Sequence, residues 1–144
     1  MTLVTALAGL TLLLLVMTSI LGVVSLSTWQ RHRNASFPTK RVAAHIALQV
    51  ASTTFWVAFL VAMRTWIAWV AFAVITAGQV LGDLLMLASY RARHGIDSAA
   101  GNYVAVAKDV LGFSRPAPAL HALVGALGWF TMLGVCVFAT LVLR

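Results

Sequence analysis

The chain has 144 residues, of which 62% are hydrophobic and 9% are charged, and its net charge is +7. A soluble domain is about 25% charged, so the composition excludes a water-soluble fold and predicts one integral membrane domain over residues 1–144. Basicity can indicate nucleic-acid binding, but these cations lie in short segments between apolar runs, which argues against that class. The single cysteine, Cys136, excludes a disulfide within the chain.

Four apolar runs are long enough to cross a bilayer, because a helical span needs about 20 residues. We expect an all-α bundle of four transmembrane helices, since the runs are continuous and an open sheet cannot lie in lipid with unpaired backbone groups. The predicted spans cover residues 3–26, 42–63, 66–89 and 119–143.

The basic residues predict the orientation of the spans. Eight of the ten Lys and Arg residues lie in the first and third loops, and the other two lie on the opposite side. Since short cytoplasmic loops are rich in Lys and Arg, we expect both basic loops in the cytoplasm, both termini outside, and a location in the plasma (inner) membrane. The eight residues are Arg31, Arg33, Lys40, Arg41, Arg91, Arg93, Lys108 and Arg115.

The third loop contains a helical pattern of its own. Apolar residues recur there at helical spacing, which predicts a short amphipathic helix at the inner membrane surface, ended by Gly112. Such a helix could be a linker or a lid over the bundle. The apolar positions are Tyr103, Val106, Ala107, Val110 and Leu111.

Polar side chains from three spans are expected to converge in the inner leaflet. His45 and Gln49 are four residues apart on the second span, Gln79 and Asp83 are four apart on the third, and His121 lies near the start of the fourth. Residues four apart share a helix face. Because polar groups are costly inside a bilayer, this cluster is the candidate site.

Two histidines at one depth on different helices predict a six-coordinate haem b, with His45 and His121 as the two ligands of the iron. The second ring nitrogen of each would donate to Gln49, Gln79 or Asp83. Gly125 and Gly128 would leave room for the macrocycle, and Arg41 or Arg115 would pair with its propionates. The G-x-x-x-G of Gly78 and Gly82 predicts close approach of a neighbouring helix.

In helix number and histidine pairing the chain resembles, in outline, the b-type cytochrome membrane anchors of quinone-linked dehydrogenases, although no longer motif accompanies the resemblance. A weak echo between the segments around His45 and His121 fits either two duplicated helix–loop–helix units or a chance similarity among apolar residues. The first hypothesis is therefore a haem b-binding or quinone-linked redox subunit, with electron transfer as its role.

Two alternatives remain open. The histidines could be structural or interfacial in a non-catalytic accessory or assembly subunit of a larger membrane complex. Asp83 could instead serve a small oligomeric proton-linked transporter. The chain has no Glu, and two of its three Asp residues, Asp97 and Asp109, lie in a loop, so a paired-carboxylate site within the membrane is not available. Whether the protein is an enzyme stays open, and a stand-alone enzyme is the less favoured answer. The expected partners are the lipid bilayer and other membrane subunits or further copies of the chain.

Overall fold

A computed structural model describes residues 2–31, 38–96 and 103–143 of the chain. These residues form five helices and no strand. The helices are α1 (Thr2–Gln30), α2 (Thr39–Ala62), α3 (Thr65–His94), α4 (Tyr103–Leu111) and α5 (Pro116–Val142).

The predicted all-α architecture is confirmed. The four longest helices are long and apolar enough to cross a membrane, and they coincide with the four predicted spans. The main difference lies at the helix ends: α1 and α3 continue to Gln30 and His94, beyond the predicted ends at residues 26 and 89. Hydropathy reports where the apolar stretch stops, whereas the hydrogen-bonded helix continues into its polar flank.

The long helices are arranged as two closely packed pairs. α2 packs mainly on α3, α1 packs mainly on α5, and the contacts of α1 with α2 and of α3 with α5 are less extensive. Around the bundle the order is therefore α1, α2, α3, α5, so that α2 and α5 lie on one diagonal. The end where α2 and α5 begin is called the basic end, because Lys40, Arg41, Arg91, Arg93, Lys108 and Arg115 lie there.

The best-packed part of the core lies in the half of the bundle away from the basic end. Trp56 and Phe59 are fully buried there, and the Trp56 indole N–H donates to the carbonyl oxygen of Ala8 at 3.0 Å. The Trp129 indole N–H donates to Thr76 Oγ1, also at 3.0 Å. Packing in this half therefore holds the helices together, and the histidines and glutamines of the candidate site lie in the other half.

Helix α4 lies against α3 and α5 at the basic end. Val106 and Val110 are buried, and the Asp109 carboxylate forms ion pairs with Arg93 and with Arg115. The pKa of Arg115 is lowered, mainly by burial and also by the charge of Arg93, and the Asp109 carboxylate offsets part of this shift. The predicted short helix is thus present and ends before Gly112, whose N–H donates to the Lys108 carbonyl at 2.8 Å. Its position at a membrane surface stays a prediction.

Candidate cofactor site

His45 and His121 lie next to each other inside the basic half of the bundle. They come from α2 and α5, the diagonal helices, and both are partly buried. Their ring centroids are 6.3 Å apart, and the ring planes are inclined at 79°. Diagonal helices that run in the same direction place side chains near their first turns at one level, so two residues 76 positions apart in sequence meet here.

Each imidazole is held by a backbone carbonyl of the helix beside it. His45 Nδ1 lies 2.9 Å from the carbonyl oxygen of Gly78 on α3, and His121 Nδ1 lies 2.9 Å from that of Thr18 on α1. A carbonyl oxygen can only accept, so each Nδ1 carries a hydrogen, and in the neutral ring the Nε2 atom then keeps its lone pair. The expectation that Gln or Asp side chains would accept these bonds is wrong.

Each imidazole ring lies against a glycine, which is called its ring seat below. A Cβ at Gly22 would lie 3.0 Å from His121 Cε1, and a Cβ at Gly82 would lie 3.2 Å from His45 Cε1. In both places the glycine follows the accepting carbonyl by four residues, as Thr18 is followed by Gly22 and Gly78 by Gly82. The first helix–loop–helix unit therefore seats the histidine of the second, and the second seats that of the first.

The two glutamines lie one helical turn beyond the rings. Gln49 Nε2 is buried and has no hydrogen-bond partner among the described residues. Gln79 lies beside Gly125, where a Cβ would be 3.7 Å from the Gln79 Nε2 atom and 3.4 Å from the Thr18 methyl group. Gln79 thus lies near Gly82 and Gly125, and Gly125 faces Thr18 and Gln79 rather than open space. The roles of Gln49, Gln79 and Gly125 toward a cofactor stay predictions.

Gly128 and Asp83 lie apart from this cluster. A Cβ at Gly128 would meet Leu14 and Leu15 of α1, so this glycine allows α5 to pack closely on α1. The Asp83 side chain is exposed. Its neighbour Gly82 faces His45, and one residue of helix turns the next side chain by about 100°, so Asp83 points away from the rings. A site of two histidines and Asp83 therefore does not form.

The cations predicted to neutralise propionates differ in availability. Arg115 is already paired with Asp109, whereas Arg41 is exposed one turn before His45. Of these two cations, Arg41 is the one without an ion-pair partner among the described residues.

The separation of the two ring centroids, 6.3 Å, can be compared with that of two imidazoles that share one metal ion. Two imidazoles that bind one metal have centroids about 6 Å apart, since each nitrogen lies about 2 Å from the metal and about 1 Å from its own ring centre. No group of three or more His, Cys, Asp or Glu side chains that could hold a metal is present in residues 2–31, 38–96 and 103–143. Zinc normally takes four ligands, whereas haem iron needs two from the protein because the macrocycle supplies four.

Sequence reasoning missed Thr18 and Gly22. Their signal is the spacing Thr18-x-x-x-Gly22, which repeats the small-residue spacing of Gly78 and Gly82 in α3. The G-x-x-x-G itself acts as predicted, since a Cβ at Gly78 would lie 3.5 Å from Leu48 Cβ of α2. The chain matches no protein-family model, no curated protein and no solved structure.

Proposed function

We propose that this protein is a haem b-binding redox subunit of a membrane complex, with His45 and His121 as the two iron ligands. The observation that carries the proposal is the ring pair: a centroid separation of 6.3 Å together with Nδ1 atoms that are both engaged by carbonyls. Each ring then offers its Nε2 atom, and neutral imidazole nitrogens are the ligands that haem iron takes in such sites.

The residues around the rings would fix how the ligands are presented. An Nδ1–H bonded to a carbonyl sets the tautomer and the ring orientation, and it makes the coordinating nitrogen more basic. Gly22 and Gly82 allow the rings to lie against α1 and α3. Haem bound here would supply reversible one-electron transfer between ferric and ferrous iron. Electrons would pass between this haem and redox groups of partner subunits.

The distribution of charge supports the proposed location in the plasma (inner) membrane. The basic end carries all but one of the described Lys and Arg residues, the exception being Arg64. By the positive-inside tendency this end faces the cytoplasm and both termini face outward. The haem site would then lie in the cytoplasmic half of the bilayer, with α4 beside it at the membrane surface.

Haem content is the test of this proposal. The protein, purified in mild detergent from haem-replete cells, should contain one haem b per chain by the pyridine haemochrome assay and show a sharp Soret band. An accessory subunit would use the same two histidine–carbonyl bonds for helix packing alone. A folded preparation without haem, even after haem is added to it, would therefore contradict the redox proposal and favour the accessory role.

A further inference from the structure

Two arginines at the basic end share a single carboxylate. Arg93 lies in the last turn of α3 and Arg115 directly before α5, and both pair with Oδ2 of Asp109 on α4. Because both guanidiniums reach the same oxygen atom, they lie close together, and the charge of Arg93 contributes, after burial, to the lowered pKa of Arg115. One carboxylate neutralises one guanidinium, so a positive charge is left over among these three side chains.

Both guanidiniums also have hydrogen-bond donors that these contacts do not use. Among the described residues, Arg115 donates to Asp109 through Nη2, and Arg93 donates to Asp109 and to Ser89. A guanidinium carries five N–H donors. The two side chains are accessible, since that of Arg93 is 29% exposed and that of Arg115 is 34% exposed. An anion with several acceptor oxygens can therefore bind to both, and phosphate is the group whose oxygens match this fork geometry.

The arginine pair lies at the depth of lipid phosphates when the long helices span a membrane. Arg93 is four residues beyond Ser89, where the apolar run of α3 ends, and Arg115 is four residues before Ala119, where that of α5 begins. Four residues of helix rise about 6 Å. The headgroup region extends about 5–7 Å beyond the hydrocarbon core on each side, so the two guanidiniums fall within it.

Helix α4 has a second surface that fits a lipid leaflet. Val104 and Leu111 are exposed, and because they are seven residues apart they lie on one face of the helix. This face is distinct from the one that buries Val106 and Val110 against the bundle. Phe113, which follows the helix, is exposed as well. Exposed apolar side chains next to cations are typical of a helix at the boundary between headgroups and acyl chains.

We propose that Arg93 and Arg115 bind the phosphate of an anionic phospholipid from the leaflet that adjoins the basic end. The occupant is inferred from charge, because the arginine pair has one positive charge in excess and a phosphodiester carries one negative charge. A zwitterionic phospholipid adds an ammonium group, which the other Lys and Arg residues of the basic end repel. Asp109 then has a positioning role, since it holds the two guanidiniums side by side and α4 against α3 and α5. This surface is separate from the histidine pair, so the inference does not depend on haem.

Native mass spectrometry of the full chain in mild detergent, titrated with phosphatidylglycerol, tests this site. We expect one tightly held lipid per chain and weaker binding of phosphatidylethanolamine. Arg93→Gln and Arg115→Gln should each weaken the binding of phosphatidylglycerol about tenfold, the effect of losing a hydrogen bond to a charged group. Lys40→Gln is the matched control, because it removes one exposed positive charge from the same end, and it should change the affinity by less than about twofold.

A double variant, Arg93→Lys with Arg115→Lys, separates lipid binding from the folding of α4. It keeps both positive charges, so the attraction to Asp109 and the melting temperature should be maintained. Lysine lacks the planar fork that binds phosphate through two parallel hydrogen bonds. We therefore expect the affinity for phosphatidylglycerol to fall severalfold in a protein that is still folded.

Inorganic phosphate distinguishes a lipid site from a site for a soluble anion. It should displace phosphatidylglycerol only in large excess, because it has no acyl chains to hold it at the bundle. Three results would overturn the proposal: equal binding of phosphatidylglycerol and phosphatidylethanolamine, equal losses of affinity in Lys40→Gln and Arg115→Gln, or displacement by inorganic phosphate at concentrations equal to those of the lipid. The first two would show a general effect of surface charge, and the third would show a site for soluble phosphate.

Discussion

Replacing His121 with alanine is expected to remove the six-coordinate, low-spin haem spectrum. The iron would lose one of its two protein ligands, and the remaining ring, His45, could support a five-coordinate, high-spin state at most. We expect haem retention to fall at least tenfold. Replacing even a residue that only hydrogen-bonds to a metal ligand lowers the affinity for the metal by about 10–100-fold, and here a ligand itself is lost. His45→Ala should have the same effect, since the two rings have equivalent hydrogen bonds.

His94→Ala is the matched control for both variants. His94 is exposed, and its ring stacks on Tyr90 at the end of α3, so the substitution should leave the Soret band unchanged. Added imidazole should restore the low-spin spectrum of His121→Ala by occupying the vacated position. If both alanine variants kept a normal low-spin spectrum while remaining folded by circular dichroism, the ligand assignment would be wrong.

Adding a methyl group at Gly22 should displace the His121 ring. The new Cβ would lie 3.0 Å from Cε1 and 3.2 Å from Nδ1 of that ring, which is closer than most Cβ contacts in folded proteins. Overpacking of this kind costs about 1–3 kcal/mol, and it would move Nε2 away from the iron. Gly22→Ala should therefore lower the low-spin fraction and the melting temperature. Gly82→Ala should do so less, because its closest contact with His45 is 3.2 Å.

Gly9→Ala and Gly134→Ala separate this effect from a general consequence of replacing glycine. Both glycines lie in α1 or α5, and a Cβ at either position meets nothing within 4 Å. In a helix such a change is neutral or stabilises by up to about 1 kcal/mol. Equal losses of low-spin haem in all four variants would contradict the role of Gly22 and Gly82 as ring seats.

The sequence predicts the helices well because span length and loop charge are local properties. The apolar runs that end near Leu26 and Ser89 identify α1 and α3, and the spacing of Val106 and Val110 identifies α4. The hydrogen-bond partners of the histidines could not be predicted from the sequence. Their hydrogen bonds go to main-chain carbonyls, which every residue has, so no residue type identifies Thr18 or Gly78 in advance.

For Asp83, the spacing of residues along one helix does not predict whether the side chain points into the bundle. Its spacing from Gln79 correctly places the two on neighbouring parts of one helix surface. Spacing does not tell which part of that surface turns toward the bundle, because the rotation of α3 is set by its packing on α2 and α5. In the structure the seat for His45 is Gly82, so the adjacent Asp83 is exposed.

Electron paramagnetic resonance of the oxidised, haem-loaded protein tests most directly whether His45 and His121 share one iron. Their ring planes are inclined at 79°, and nearly perpendicular axial imidazoles give a highly anisotropic low-spin ferric signal with one dominant low-field feature. We predict that signal, with hyperfine coupling to two histidine nitrogens when the histidines carry ¹⁵N. A high-spin ferric signal, or coupling to one histidine nitrogen or none, would contradict a shared iron.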